Sequence, residues 1–236
     1  THNVFIGVLA AIASAVAASL LMGAVTIRFR ANVFIVGLAI NLLAGGVTTV
    51  LSQRWYHTKA VVAFSLPAPL PAFPAALAQI PFVGPILFSH SVLTVCAWLW
   101  AIGAAFIIRN SRHGIRIRAT GMNAQAVSVL GYSPDRARVA AMIWSGVGSG
   151  LGGFALGLSI SAFVPNIVSG RGWIALVAIY LGQKKPLWIA ASCLLFAFAE
   201  SLSNYVQGFS SIPPLLVLAL PYAVTLVSLI AAGNKK

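Results

Sequence analysis

Arg109 to Arg138 reads RNSRHGIRIRATGMNAQAVSVLGYSPDRAR, a basic, polar stretch between two long apolar runs. Before it stands ILFSHSVLTVCAWLWAIGAAFII (86–108); after it stands VAAMIWSGVGSGLGGFALGLSISA (139–162). A helix needs about 20 mostly apolar residues to cross a bilayer. Both flanks reach that length, so the polar stretch is a loop between two membrane spans. The same contrast recurs along the chain. Of its 236 residues 60% are hydrophobic and 7% charged, where a soluble domain carries about 25% charged residues. The apolar runs are continuous and do not alternate, which excludes an outer-membrane barrel. The sequence predicts an all-α, polytopic membrane protein, a single transmembrane domain over 1–236.

Seven spans are expected, at about 4–26, 32–51, 86–108, 138–162, 172–183, 187–206 and 213–232. The connections between them sort by charge. One set holds Arg28, Arg30, Arg109, Arg112, Arg116, Arg118, Arg136, Arg138, Lys184, Lys185, Lys235 and Lys236; the other holds Arg54, Lys59 and Arg171. Cytoplasmic loops are enriched in Lys and Arg, so the first set and the C-terminus are expected inside. The net charge of +13 then follows membrane topology, and nucleic acid is not expected as a partner. The first span would run from outside to inside. A cytoplasmic N-terminus would therefore need a further span before Thr1. Cys96 and Cys193 lie in apolar runs and are expected to be free thiols.

Three segments depart from plain spans. The outer loop 52–85 carries Pro67, Pro69, Pro71, Pro74, Pro81 and Pro85; proline cannot continue a helix, so an extended or broken excursion is expected. The fifth segment, near Trp173 to Gly182, covers roughly half the hydrocarbon core at about 1.5 Å per residue. It is expected to be a bent or half-length helix. In the fourth span Gly146 and Gly150, Gly148 and Gly152, and Gly153 and Gly157 stand four apart. Such spacing lets helix backbones approach closely, for packing, for sliding during gating, or both. Ile27–Ala31 (IRFRA) echoes Ile115–Ala119 (IRIRA), too short a match to establish a repeat.

Inside the polar loop, 109–138, Asn123 is a good N-cap, Ala124 to Leu130 favours a helix of about two turns, and Gly131 is a good stop. Ser133, Pro134 and Asp135 then open the next span. A short helix held across the mouth of a bundle suits docking of a motor domain. A basic loop against anionic lipid headgroups is the alternative.

GIRIRATGMNAQAVSVLGYSPDRARVAAMIWSGVGSGLGGFALGL followed by GRGWIALVAIYLGQKKP resembles the binding-protein-dependent ABC permease family that serves branched-chain amino acids, ribose-type sugars and nucleosides. RANVFIVGLAINLLAGG and LLFAFAESL are similar as well, so the resemblance runs from about Ile27 to Leu202. The nucleoside and simple-sugar branch is the most similar, through Arg118, Ala119, Gly121, Asn123, Leu130 and Gly131. The resemblance implies that the loop helix couples to a cytoplasmic ABC ATPase, with Arg118, Gly121, Asn123, Ala126, Leu130 and Gly131 at the contact. It also implies a second permease subunit, identical or paralogous, an extracytoplasmic substrate-binding protein, and a place in the bacterial cytoplasmic (inner) membrane. Nucleoside, sugar and flavin-like solutes stay open. One departure is visible: the helix AQAVSVL is uncharged where relatives often carry an acidic residue after the Asn.

Candidate pathway residues are few. Glu200 is the one acid within an expected span, and intramembrane ionisable groups are functional by default. It is placed to bind a polar solute or to pair with a Ser, a Tyr or a backbone amide. Asn41, with Thr48 and Thr49, is a polar lining or an interhelical hydrogen-bonding site. Trp144, Trp173, Tyr180 and Tyr205 suit either a flat ligand or the membrane interface. His-Glu-x-x-His, Gly-x-Ser-x-Gly and Walker A patterns are missing, so no catalytic, metal or cofactor site is expected. A secondary transporter or channel is the competing function. It is disfavoured by a membrane interior with a single acid, where ion-coupled carriers need more.

Overall fold

The computed structural model describes residues 4–64, 92–165, 167, 168 and 170–209. They form eight helices and one small β pair: α1 (Val4–Arg28), α2 (Val33–Tyr56), β1 (Val62–Ala63), α3 (Val92–Asn110), α4 (Arg112–Met122), α5 (Ala124–Val129), α6 (Pro134–Ile160), β2 (Ala162–Phe163), α7 (Arg171–Leu181) and α8 (Pro186–Phe209). Among the described residues α1, α2, α6 and the Pro186–Ser203 part of α8 are long and apolar enough to cross a membrane, while α3 and α7 fall short. The protein is a mostly helical, multi-pass membrane protein. Seven spans are not reached within this range. The expected span 213–232 and the proline-rich residues 65–85 lie outside the described residues.

The boundaries differ in three places. α2 runs five residues past its expected end at 51, so Arg54 sits in its last turn. The expectation of a purely helical chain is corrected by β1 and β2, which pair antiparallel with Val62 opposite Phe163 and Ala63 opposite Ala162. The polar loop also holds an unexpected helix, α4. The alternation Ile115-Arg116-Ile117-Arg118 reads locally as a strand. Yet Ser111 caps a helix there by accepting from the Gly114 amide at 2.9 Å, and α4 packs on α5 and α6. Packing on neighbours overrides the local pattern. The IRFRA echo shares no structure with it, since it ends α1 with Arg30 at φ 51°.

The chain forms two compact units, Thr1–Trp100 with Phe106–Ile167, and Ala101–Ala105 with Val168–Lys236. In the first, α1 and α6 pack antiparallel along their length. Gly150 lies against Ile12 and Ala11, Gly146 against Val16 and Ser19, and Gly23 against Met142. A Cβ on Gly146 would stand 2.7 Å from Val16 Cα, and one on Gly150 2.7 Å from Ile12 Cα. Of the three expected small-residue pairs this seam uses Gly146 and Gly150, both buried. Gly148 faces Trp100, while Gly152, Gly153 and Gly157 face open space. Lipid supplies no hydrophobic drive between helices, so close backbone approach carries this contact.

The antiparallel seam gathers charge. The C-terminus of α1, the start of α2, α4, α5 and the start of α6 share one end of the first unit. Arg28, Arg30, Arg112, Arg116, Arg118, Arg136 and Arg138 collect there. Arg54, Lys59 and the β pair follow the far ends of α2 and α6.

In the second unit α7 and α8 form a tight hairpin. Gln183 and Lys184 take left-handed conformations, φ 50° and 60°, and a Cβ on Gly182 would stand 2.5 Å from the Ile189 amide nitrogen. α7 has 11 residues, about 16 Å, which is the half-length helix expected from the sequence.

Candidate functional site

The polar loop is two helices and a turn fastened at several points. Asn123 ends α4 and opens α5, its side chain accepting from the Ala126 amide at 3.1 Å. Gly131 adopts φ 80°. Its amide donates to Ser128 O at 2.9 Å, and the Tyr132 amide donates to Val127 O at 3.2 Å. Those two bonds make a Schellman stop, which needs a left-handed residue and therefore favours glycine. The Arg116 guanidinium lies 4.3 Å from the centre of the Tyr132 ring, a cation–π contact that ties α4 to the turn after α5. Val127 is buried and fixes the inward face of α5.

The outward face is apolar and open. Met122 is 81% exposed, Val129 88% and Leu130 73%. Arg118, Gly121 and Ala126 are exposed too, and a Cβ on Gly121 would meet nothing within 4 Å. The structure thus brings Gly121, Ala126 and Leu130 to one loop surface, with Asn123 and Gly131 as its two caps. Sequence reasoning missed Met122, Val129 and Tyr132 there. Their signal was the local excess of large apolar residues in a loop otherwise rich in arginine.

The pathway residues fall in separate places. Trp144 packs on Trp100, ring centroids 5.3 Å apart at 41°. Trp144 stands 10 residues into α6, counted from Pro134, or about 15 Å from its end. Asn41 is exposed on α2. Thr48 and Thr49 are spent on their own helix, donating to Ala44 O at 2.7 Å and Gly45 O at 2.8 Å.

Glu200 has a partner that the sequence did not suggest. Arg171 Nη2 donates to Glu200 Oε1 at 2.6 Å, with the two side chains 43% and 44% exposed. The sequence assigned Arg171 to an outer connection; the structure makes it the first residue of α7, within reach of Glu200. The reason is length. Arg171 opens α7, 11 residues before the hairpin turn, and Glu200 lies 14 residues beyond Pro186 in the antiparallel α8. The short helix ends where the carboxylate of its neighbour lies.

A match to the family described as branched-chain amino acid transport system permease component spans residues 1–229. The chain belongs to this permease family. It is 32% identical over 230 residues to the guanosine ABC transporter permease protein NupQ of Bacillus subtilis, covering 95% of this chain and 72% of that protein. It is 29% identical over 215 residues to the nucleoside ABC transporter permease protein NupC of Lactococcus lactis, covering 86% and 65%. A putative glucose ABC transporter permease protein of Haloferax volcanii, TsgC13, is 27% identical over 214 residues, covering 89% and 64%. The chain thus spans about two thirds of the length of these relatives. No solved structure matches. The resemblance seen in the polar loop and the GRG segment therefore holds for the chain as a whole.

Proposed function

We propose that this permease is the transmembrane subunit of an ATP-driven importer in the cytoplasmic membrane, working on nucleosides. A separate ABC ATPase would drive it, with a second permease subunit beside it and an external binding protein delivering the solute. The observation that carries the coupling is the α4–α5 loop, 109–138: a capped, braced platform with an exposed apolar face of Met122, Ala126, Val129 and Leu130. A helix of six residues is not stable alone in water. Its caps and the buried Val127 hold it ready, and its exposed apolar side chains favour a protein partner over bare solvent. The missing acidic residue after Asn123 makes that contact apolar rather than ionic. The nucleoside preference rests on the two relatives named for guanosine and nucleosides. Sugar transport is the second possibility, favoured by the relative named for glucose.

Trp144 and Trp100 support a base-like ligand, because a tilted pair of large aromatic rings offers a ring face for stacking. Asn41 and Glu200 remain candidates for polar contacts. Glu200 would act there as one half of an ion pair with Arg171.

The test is reconstitution of the permease with its ATPase and binding protein in proteoliposomes. Loaded binding protein should stimulate ATP hydrolysis with guanosine or uridine and not with leucine. Ala126→Arg, which thrusts a long charged chain into the small apolar contact, should leave the bundle folded and abolish the stimulation. Stimulation by leucine alone overturns the nucleoside assignment. Full stimulation in Ala126→Arg overturns the docking face.

A further inference from the structure

A cavity of about 870 Å³ opens at the arginine-rich end of the first unit, bounded by the last turn of α1, the first residue of α2, α5, and the first two turns of α6. Its walls are layered. Arg30 in the α1–α2 connection and Arg138 in the second turn of α6 face the cavity, joined by Gln125 and Ser128 from α5. Ile27 and Met142, about one turn further in along α1 and α6, with Val33 at the start of α2, make the apolar floor. Arg138 and Met142 are four apart on α6, so the charged layer sits directly above the apolar one along the same helix face. Phe29 and Phe34 flank the α1–α2 connection and are exposed, as side chains at a headgroup–acyl boundary are.

The charge is mixed and still favours an anion. Arg138 Nη1 donates to Asp135 Oδ1 at 3.0 Å, which neutralises one arginine. A guanidinium has five N–H donors, so Arg138 keeps most of its donors for a second acceptor. Arg30 has no ion-pair partner among the described residues.

We propose that this cavity binds the phosphate headgroup of an anionic phospholipid, its first acyl segment lying on Ile27, Val33 and Met142. A free phosphate group would engage the arginines and leave the apolar floor unused. A lipid uses both layers, and α1 and α6 are membrane helices, so the floor meets the acyl region of the same leaflet. Basic pockets between membrane helices bind headgroups of this kind, and a cavity of several hundred Å³ admits one. Because Gln125 and Ser128 line it, the bound lipid would also brace α5 from behind. The binding itself does not depend on what docks on the front of α5.

The experiment is anisotropy of a fluorescent phosphatidylglycerol titrated with the purified full-length permease in neutral detergent. Phosphatidylglycerol should bind and unlabelled phosphatidylcholine should fail to displace it. Arg30→Gln and Arg138→Gln should each weaken binding about fivefold, the weight of one basic residue near an anionic surface. Asp135→Asn should strengthen binding, a gain that misfolding cannot mimic. Arg54→Gln, at the other end of α2, should change nothing. Unchanged affinity in both arginine variants, or displacement by phosphatidylcholine as effective as by phosphatidylglycerol, overturns the site. Displacement by glycerol 3-phosphate at the same concentration as by lipid overturns the lipid and leaves a soluble phosphate ligand.

Discussion

Gly150→Ala places a methyl group where the α1–α6 seam has no room. The new Cβ would meet Ile12 Cα at 2.7 Å and Ala11 O at 2.8 Å. Carbon atoms in contact normally stand about 3.5–4.0 Å apart, so the helices must part by about 1 Å. Both neighbours are backbone atoms, so no rotamer change relieves the clash. A gap of about 0.5–1 Å forfeits a quarter to a half of each dispersion contact along the seam. Overpacking of this kind costs about 1–3 kcal/mol. Alanine offsets up to about 1 kcal/mol of that through its better helix propensity. A net loss of about 1–2 kcal/mol is expected for Gly150→Ala and likewise for Gly146→Ala, whose Cβ would stand 2.7 Å from Val16 Cα. The double variant should lose less than the sum, because the first substitution already opens the shared seam. Gly152→Ala and Gly157→Ala are the controls. Their added methyl meets nothing within 4 Å, so they should be neutral or slightly stabilising. Unfolding of the purified permease in mixed detergent–SDS micelles, followed by tryptophan fluorescence, measures all five. Equal stability of Gly150→Ala and Gly152→Ala would refute the packing of α1 on the Gly146–Gly150 face.

Four further outcomes are expected. Glu200→Gln should keep a hydrogen bond from Arg171 and assemble normally, whereas Glu200→Leu removes the carboxylate and should cost about 1–3 kcal/mol; equal thermal stability and equal uptake in both variants would discount the ion pair. Gly131→Val forces a β-branched residue into φ 80°, a genuine outlier conformation, so ATPase association in a pull-down should fall while the bundle stays folded. In a variant carrying Cys96→Ala and Cys193→Ala, His113→Cys should be shielded from an impermeant thiol reagent in intact cells and Lys59→Cys labelled; the opposite pattern inverts the orientation. Thr120→Val should stabilise the permease by about 1 kcal/mol, since Thr120 Oγ1 is buried without a hydrogen-bond partner among the described residues and an apolar atom there carries no desolvation cost; a lower midpoint in the same micelle assay would mean that the hydroxyl has a partner.

Much of this molecule was legible in its chain because the decisive signals are local. A run of apolar residues longer than a bilayer is thick has few other places to go, which is why α1, α6 and α8 fall close to their expected limits and α2 starts where expected though it runs on past its expected end. Caps are local too. Asn123, Gly131 and Pro134 act within one turn of themselves, and each takes its expected place at the end of a helix. The family resemblance was equally a property of contiguous motifs. What lay beyond the sequence were relations between distant residues. The Arg171–Glu200 pair joins positions 29 apart and depends on how short α7 is relative to α8. The three glycine pairs of α6 look alike as text; only the line along which α1 lies selects Gly146 and Gly150. α4 is helical against its strand-like alternation because Ser111 caps it and α6 supplies a surface. Sequence periodicity reports which face of a segment is apolar, but in a membrane protein apolar faces meet lipid as readily as protein. Which face meets a neighbour is settled by packing of one helix on another, and that is a property of the fold.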